Sequence, residues 1–325
     1  MSLACENAEP ATLSRSAPEP LGAPVPEWEG LRLERPLVSV PDGLVRQGGQ
    51  LWYHFQRFSW TLERPEANPR SGEAFRHLQW RLAEPLPTES IARRLPGAYH
   101  WGMHPHLNSL YHFFCDLLPH LLSHPRQPVL IRPDWPQEFE RFLSDCGWQT
   151  RRLEVGTWQP DELWIPGHSA LDWEEGKVRQ LQHFLQQCVP VSPQPEPAVR
   201  LYLSRRKARR RHLLNEAALE LLWDRFRLQT VCLEDLSMEE QVRLMRRAQW
   251  VIAPHGAGLV QVLSAPSACR ILEIRPVCKS GGGCFERLFR LGWPRHEVLV
   301  PPKRPDFTCP PELLERILTR WEVEG

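Results

Sequence analysis

The sequence predicts an α/β protein made of two Rossmann-like, doubly wound domains that face a cleft. Three observations support this prediction. Short apolar runs alternate with longer amphipathic segments from about residue 107 to the end of the chain, and strands that alternate with helices form parallel sheets. A proline-rich stretch, VPVSPQPEP at 189–197, interrupts the alternation and is typical of an extended linker. A glycine-containing turn at 254–258 joins two apolar runs in the second half.

The predicted domain boundaries follow from composition. Residues 1–30 mix Pro, Glu, Ala and Ser with few large apolar residues, and such a segment cannot offset the entropy of ordering its backbone. We therefore expect a disordered tail at 1–30, a first domain at 31–190 and a second domain at 191–325. Residues 31–100 are Trp-rich and irregular, with strand-like pieces such as 51–58.

The remaining elements of the first domain follow from the length and spacing of apolar residues. Short apolar runs indicate buried strands, and longer segments with helical spacing indicate amphipathic helices. The pattern predicts helices at 107–122, 137–146 and 174–188, and strands at 129–132, 151–155 and 162–165.

The second domain alternates more regularly. Ser237 and Glu240 form a capping box, in which each side chain satisfies a free backbone amide at the start of a helix that ends near Ala248. The pattern predicts strands at 199–203, 228–233, 250–253, 270–274 and 296–300, and further helices at 214–226, 259–263, 284–291 and 311–321.

Composition excludes several classes of protein. The 325 residues include 40 Lys and Arg against 39 Asp and Glu, so no large nucleic-acid footprint is implied. None of the nine cysteines lies in a C-x-x-C pair, and neither a zinc site nor a redox motif is indicated. Buried free thiols in a reducing compartment are the expectation.

The turn after the strand at 250–253 predicts an anion site. Gly256, Ala257 and Gly258 carry no bulky Cβ groups, so a ligand can approach the backbone. The following helix directs its free N–H groups and positive dipole end at that turn. Glu273 ends the next strand, where a carboxylate can accept hydrogen bonds from both hydroxyls of a ribose. An ordinary βαβ turn is the alternative.

Three segments in this order resemble glycosyltransferase family 61. They are NSLYHFFCDLLPHL at 108–121, YLSRRKARRRHLLNE at 202–216, and HGAGL at 255–259 followed by an Ala-Pro turn and LEI. The resemblance implies transfer of a sugar from a nucleotide-sugar to an acceptor. Two Rossmann-like halves joined by a proline-rich linker describe the GT-B architecture, so we expect the acceptor side in the first domain and the donor in the second. Gln261 stands where the family usually has Asn, and 293–296 replaces a common LGxxY pattern.

Basic residues at a strand end are predicted to hold the diphosphate. Ser204 and Arg205 follow the strand at 199–203, at the edge on which open parallel sheets bind ligands. A guanidinium there pairs with phosphate oxygens and neutralises the charge that grows on the leaving group. The resemblance favours Arg205 for this role, with Arg211 second and surface charge as the alternative. His255 is predicted to donate to a phosphate oxygen or to the sugar.

His112 and Asp116 are the predicted catalytic residues. They are four apart on a helix and project from one face. An inverting transfer needs one general base to accept the proton of the acceptor hydroxyl, and Asp116 is the first candidate and His112 the second. Asn108 either orients an acceptor or caps this helix.

No metal or other cofactor is predicted. Arginines and a helix N-terminus can carry a diphosphate without a divalent ion, and the sequence contains no DxD motif. The absence of that motif argues against the other common glycosyltransferase architecture. A metal site is the weaker interpretation of the histidines at 100, 104, 106 and 112, because no carboxylate or cysteine stands near them at ligand spacing.

Two other functions remain open from the sequence. Gly256, Gly258 and Glu273 imitate the fingerprint of an NAD(P)-dependent oxidoreductase, but Gln261 takes the place of its third glycine, and two βα units precede the turn. A non-catalytic glycan-binding or scaffold protein on the same fold is the second alternative, because a fold does not fix a function.

The expected location is cytoplasmic. The apolar stretch at 107–122 is interrupted by polar residues and falls short of the roughly 20 residues that span a membrane. Residues 1–30 show no features of a secretory signal. Family members in animals and plants typically carry an anchor, so this chain resembles the anchorless bacterial branch. Peripheral association with the cytoplasmic face of the inner membrane is expected if the acceptor is lipid-linked.

Overall fold

The computed structural model describes residues 31–40, 43–47, 50–53, 56–61, 64–65, 88–103, 108–166, 173–190, 196–275, 283–299 and 307–324. The predicted tail at 1–30, positions 191–195 of the predicted linker, and two of the four histidines considered for a metal site, His104 and His106, lie outside these residues.

The first sheet is mixed, whereas a parallel sheet was predicted. Strands β7, β8, β9 and β10 are parallel to their neighbours, in the order β10-β7-β8-β9, and β1 and β2 pair antiparallel with β10. An antiparallel meander, β2 to β6, extends the sheet. Its connections are too short for crossover helices, which parallel pairing requires. The strands are β1 (Leu31–Glu34), β2 (Leu37–Val40), β3 (Val45–Gln47), β4 (Gln50–Tyr53), β5 (Gln56–Thr61), β6 (Arg64–Pro65), β7 (Arg93–Trp101), β8 (Val129–Ile131), β9 (Thr150–Arg152) and β10 (Gly156–Ile165).

The predicted helix at 107–122 is observed as a continuous helical run over residues 110–122, here called the site helix. It consists of α1 (Leu110–His112), a π-helical segment (Phe113–Leu117) and α2 (Leu118–Leu122). In the π-helical segment the N–H of Leu118 donates to the carbonyl of Phe113, five residues earlier. The next residue, Pro119, has no N–H to donate. Wide turns of this kind occur often at functional sites. Helices α3 (Gln137–Asp145) and α4 (Glu175–Cys188) begin and end close to their predicted positions.

The second sheet is parallel throughout. Its order is β12-β11-β13-β14-β15, formed by β11 (Val199–Leu203), β12 (Leu228–Val231), β13 (Ala248–Pro254), β14 (Arg270–Ile274) and β15 (His296–Leu299). Side chains alternate between two buried faces. Trp250 and Ile252 of β13 pack on one face, and Val251 and Ala253 on the other. Burial on both faces explains why these strands are continuous apolar runs.

The helices around this sheet are shorter or tighter than predicted at two places. The segment predicted as a helix at 214–226 begins as a 3₁₀ turn (Glu216–Leu219) before α5 (Glu220–Arg225), and the helix after the glycine turn is a 3₁₀ helix (Ala257–Ser264). The capping box at Ser237 and Glu240 is present at the start of α6 (Met238–Arg246). Helices α7 (Gly283–Gly292) and α8 (Pro311–Glu324) complete the fold.

The two sheets share one apolar core. A single cluster of buried side chains runs from the first sheet through the site helix, α4 and the 3₁₀ helix Ala257–Ser264 to one face of the second sheet. A second cluster covers the opposite face of that sheet. Among the described residues, no helix is both long and apolar enough to cross a membrane.

Candidate active site

A cavity of about 480 Å³ opens at the carboxyl ends of β11 and β13. Numbered within the second sheet, the strand order is 2-1-3-4-5, and a sheet of this order binds ligands where the strand order reverses, between strands 1 and 3. These strands are β11 and β13. The predicted donor residues Ser204, Arg205, Gly256, Ala257 and Gly258 line the cavity together, and Asn108 joins them from the start of the site helix.

Gly256 makes room for Arg205. A Cβ atom on Gly256 would overlap Nη1 of Arg205 and would lie 2.7 Å from its Cζ. The backbone of Gly256 is extended, with φ −178°, a conformation that any residue adopts. The absence of a Cβ at Gly256, rather than its backbone conformation, therefore allows the guanidinium to lie here. We expected that space to admit a ligand to the backbone, but the guanidinium of Arg205 fills it.

Arg205 carries a positive charge that the protein does not neutralise well. Burial, followed by the charge of Arg211, lowers the pKa of Arg205 to about 10, and Glu234 opposes this effect. Its Nη2 donates to the carbonyl of Arg210 at 3.0 Å, and its buried Nε has no hydrogen-bond partner among the described residues. Arg211 has a left-handed backbone, with φ +63°. A partly buried cation beside other cations favours binding of an anion.

Gly258 also allows a neighbouring side chain to pack closely against the backbone. A Cβ atom there would lie 2.7 Å from Cδ1 of Leu233. Gln261, where the family usually has Asn, is fully buried, and its Nε2 donates to Oε1 of Gln241 at 2.7 Å. Gln241 in turn donates to the carbonyls of Leu233 and Leu236. This amide pair fixes the 3₁₀ helix after the turn against the loop that forms the far wall of the cavity.

Glu273 does not reach the cavity surface. It is fully buried at the end of β14. Nε and Nη2 of Arg275 donate to its Oε1 and Oε2 at 3.0 and 2.8 Å. Nδ1 of His255 lies 2.5 Å from Oε1, and Nε2 of His296 lies 3.3 Å from Oε2. Burial opposes ionisation of Glu273, but His255, His296 and Arg275 outweigh it and hold its pKa below the usual range. The predicted direct contact with a ribose is not available in this geometry, because protein groups occupy both oxygens.

Ser204 is tied to the protein as well. Its Oγ donates to Oε1 of Glu216 at 2.5 Å and accepts from the N–H of Arg206 at 3.2 Å. Tyr202 donates to the other oxygen of the same carboxylate at 3.1 Å. These bonds fix the chain where it leaves β11, and they hold the backbone before Arg205.

His112 and Asp116 form a hydrogen-bonded pair on the site helix. Nδ1 of His112 lies 2.7 Å from Oδ2 of Asp116, and their side chains are 31% and 1% exposed. The imidazole is therefore the accessible member, and the carboxylate lies behind it. Ser109, rather than Asn108, is the N-cap residue of the helix, without a side-chain bond to the backbone. Asn108 is exposed on the cavity wall.

An aromatic bridge connects this pair with the second sheet. The ring of Phe285 on α7 lies 5.5 Å from the ring of His255 and 5.2 Å from that of Tyr111, the residue before His112. Nε1 of Trp173 donates to the hydroxyl of Tyr111 at 3.3 Å. This bridge could not be predicted from the sequence, because its members are far apart in the chain.

The histidines considered for a metal site are separated. His112 pairs with Asp116, whereas His100 packs in the core, with Nδ1 3.1 Å from Nε2 of His120. Burial lowers the pKa of His100 to about 4 and holds that of His120 well below its usual value. No group of three or more potential metal ligands is found within the described ranges.

Other residues of the cavity were missed from the sequence. The loop after β12 and the start of α6 form one wall, and α3 contributes from the first sheet's side. A rule for parallel sheets could have found the loop, since the segment after β12 lies at the same carboxyl edge as the turn after β13. These residues are Leu233, Glu234, Leu236, Met238, Gln241, Glu138 and Phe139.

The structure is an α/β protein with a cavity at the carboxyl edge of its parallel sheet, and comparison with known sequences identifies its family. The family model described as Glycosyltransferase 61 matches residues 110–272, half of the chain. The chain therefore belongs to glycosyltransferase family 61. The match contains the His112–Asp116 pair, Arg205 and the glycine turn, whereas Asn108 and Glu273 lie just outside it.

Two curated relatives share part of the sequence. Both are described as protein O-linked-mannose beta-1,4-N-acetylglucosaminyltransferase 2. The protein from Bos taurus is 36% identical over 104 residues and that from Canis lupus familiaris 34%, each covering 31% of this chain. The chain spans 18% of the length of these relatives. A flavodiiron core from Synechocystis sp. PCC6803 aligns over 90% of this chain and 96% of its own, at 9% identity and a TM-score of 0.27.

Proposed function

We propose that this glycosyltransferase moves a sugar from a UDP-linked donor to a glycan or lipid-linked acceptor in polysaccharide biosynthesis, with inversion at the anomeric carbon. The observation that carries the proposal is the guanidinium of Arg205 above Gly256, at the point where the second sheet reverses its strand order. The arrangement places positive charge in a cavity large enough for a nucleotide. A GT-B arrangement, with the donor on the second sheet and the acceptor towards the first, accords with residues from both sides lining the cavity.

On this proposal Arg205 and Arg211 bind the diphosphate and stabilise it as it leaves. Charge-assisted bonds from guanidinium groups to phosphate are strong and strengthen as negative charge develops. His255 donates from Nδ1 to Glu273, and its other nitrogen faces away from the buried carboxylate. On this proposal that nitrogen donates to a phosphate or sugar oxygen when the ring carries a second proton. Because cationic side chains supply this charge, we propose that transfer proceeds without a divalent metal.

The general base in this proposal is His112. Its Nδ1 faces Asp116, so Nε2 accepts the proton of the acceptor hydroxyl. The hydroxyl oxygen then forms the new bond to the anomeric carbon while the bond from that carbon to the diphosphate breaks. Asp116 orients the imidazole and stabilises its protonated form. This reverses our order of preference from the sequence, because burial puts Asp116 out of reach of an acceptor.

The names of the relatives suggest the first substrates to test. Those proteins are described as transferring N-acetylglucosamine to O-linked mannose, so UDP-N-acetylglucosamine and mannose-terminated glycans lead the panel. The acceptor class and the cytoplasmic location stay predictions. Fractionation of the producing cells into soluble and membrane-bound protein tests the location.

A transfer assay tests the proposed function. UDP-sugars are screened by thermal shift, where a ligand at 100 times its Kd stabilises the folded state by about 2.7 kcal/mol. NMR then follows the anomeric configuration of the product, with EDTA present. We expect transfer with inversion that EDTA leaves intact. Retention of configuration, or activity that requires Mn²⁺, contradicts the proposed mechanism. Failure to cleave any donor, with or without acceptor, favours the non-catalytic alternative.

A further inference from the structure

Burial of Glu273 leaves the ribose of the donor without the carboxylate that we expected to bind it. Both of its oxygens are held by Arg275, His255 and His296. The cavity wall contains two other acidic residues, Glu138 on α3 and Glu234 after β12. Glu234 follows β12, a strand of the second sheet, as Arg205 follows β11. Glu138 lies on α3, in the first half of the chain.

Glu234 lies at the carboxyl edge beside Arg205. It belongs to the 3₁₀ turn Leu233–Asp235 that follows β12, and β12 pairs directly with β11, the strand that Arg205 follows. The charge of Glu234 acts on Arg205, yet no ion pair within 4.0 Å joins them in the described part of the chain. The carboxylate is therefore near the phosphate site but displaced from it.

Glu234 differs from the neighbouring Asp235 in its contacts. Asp235 forms an ion pair with Nζ of Lys207 and does not line the cavity. Glu234 is exposed, lines the cavity, and has no hydrogen-bonded or ionic partner among the described residues. A carboxylate close to a diphosphate site repels the ligand, so its presence there needs a compensating contact.

The apolar residues that follow Glu234 supply the remaining part of a nucleoside site. Leu236 and Met238 continue the same wall, and Phe139 faces the cavity from α3. In a nucleoside diphosphate the ribose joins the phosphates to the base. The cavity presents a guanidinium, a carboxylate and apolar side chains, which are the groups suited to a diphosphate, a ribose and a base.

We propose that Glu234 is the residue that recognises the ribose of the donor nucleotide, accepting hydrogen bonds from its 2′- and 3′-hydroxyls. The inference rests on the proposed use of a UDP-linked donor. It assigns to the loop after β12 the selection of ribonucleotides, and it leaves Glu273 as a positioning residue for His255.

Calorimetric titration with UDP and 2′-deoxy-UDP tests this assignment in the full chain. The wild-type protein should bind UDP about tenfold or more tightly than 2′-deoxy-UDP, since a hydrogen bond to a charged group is lost. Glu234→Ala should bind both nucleotides with nearly equal affinity, and Glu234→Gln should keep part of the preference. Asp235→Asn is the matched control and should keep all of it.

The outcomes separate the two proposals. UDP binding by the wild type with an undiminished ribose preference in Glu234→Ala overturns the ribose assignment alone. Equal affinity of the wild type for the two nucleotides also overturns it. If the wild type binds neither nucleotide, the proposed UDP donor fails, and the assignment fails with it. Thermal unfolding of each variant checks that the exposed substitution leaves the fold intact.

Discussion

His112 covers Asp116 on the site helix. Nδ1 of His112 lies 2.7 Å from Oδ2 of Asp116, and the imidazole is 31% exposed whereas the carboxylate is 1% exposed. A buried carboxylate behind an accessible imidazole orients the ring and stabilises its charged form, as in other acid–base pairs. The two residues are four apart on one helical run, so their side chains lie on the same face. On the proposed mechanism the two residues have different chemical tasks, and their order is the reverse of the one that the sequence favoured.

The first prediction separates those tasks. His112→Ala should lower the rate of transfer by roughly 10²- to 10⁴-fold, the usual contribution of a general base, while UDP affinity stays unchanged. Asp116→Asn should lower kcat less and leave UDP affinity unchanged, because the base remains but loses its orienting partner. Steady-state kinetics and calorimetric titration give both quantities. Near-normal turnover in His112→Ala together with loss in Asp116→Asn would make the carboxylate the base.

The second prediction concerns Glu273. Replacing it with Gln leaves Arg275 without its bidentate partner in a largely buried position, and loss of one member of a buried ion pair costs about 3–5 kcal/mol of folding free energy. Urea unfolding measures the difference. Glu286→Gln is the control, since Glu286 contacts Arg275 at 3.3 Å from a more exposed position and should cost about 1 kcal/mol or less. A Glu273→Gln variant as stable as the control would contradict the structural role of this carboxylate.

The third prediction is a loss of stability in mild acid. His100 and His120 are buried as neutral rings beside His124, and burial lowers the pKa of His100 to about 4. The unfolded chain binds these protons near pH 6.5 and the folded chain does not, so their contribution is complete above pH 6.5 and is lost as the pH falls towards 4. His100 alone should cost about 2 kcal/mol by pH 5.

Urea unfolding between pH 7.5 and 5.0 measures this loss. The pKa of Glu273 is lowered from 4.5, so its contribution to stability is lost mainly below pH 4.5. The pH range of this experiment lies above that value. His120→Gln should flatten the pH dependence, whereas His183→Gln on α4, outside the cluster, should leave it unchanged. Equal stability of the wild type at pH 7.5 and 5.0 would contradict the burial of neutral histidines.

The sequence predicted the parts of the fold that local signals determine. Strands β11 and β14 have the predicted bounds, and the capping box begins α6 where Ser237 and Glu240 indicated. The mixed first sheet was not predicted. Its antiparallel meander depends on pairing among short strands at 31–65 whose apolar pattern is weak, and register in such strands is set by tertiary packing.

Positions in the candidate site could be predicted, but their contacts could not. The turn after β13 was located from its glycines, yet the reason for Gly256 is the side chain of Arg205, which follows another strand. Similarly, Glu273 was expected to face a ligand because it ends a strand. Arg275, two residues further on, holds its carboxylate, and His296 becomes its neighbour only when β14 and β15 pair. Hydrophobic periodicity and sequence motifs indicate which edge of a sheet a residue occupies. They do not indicate which side chains from other parts of the chain pack against it there.

The contact between Gly256 and Arg205 offers the most direct test of the central claim, that this guanidinium holds the donor diphosphate. Gly256→Ala should force the guanidinium aside, and Arg205→Ala should remove it, and both should weaken UDP binding tenfold or more. The matched controls are Gly292→Ala, whose Cβ would meet no atom within 4 Å, and Arg209→Ala in the same basic run. Calorimetric titration of UDP in EDTA should show wild-type affinity in both controls and weak binding in both site variants. Wild-type affinity in Arg205→Ala would contradict the account.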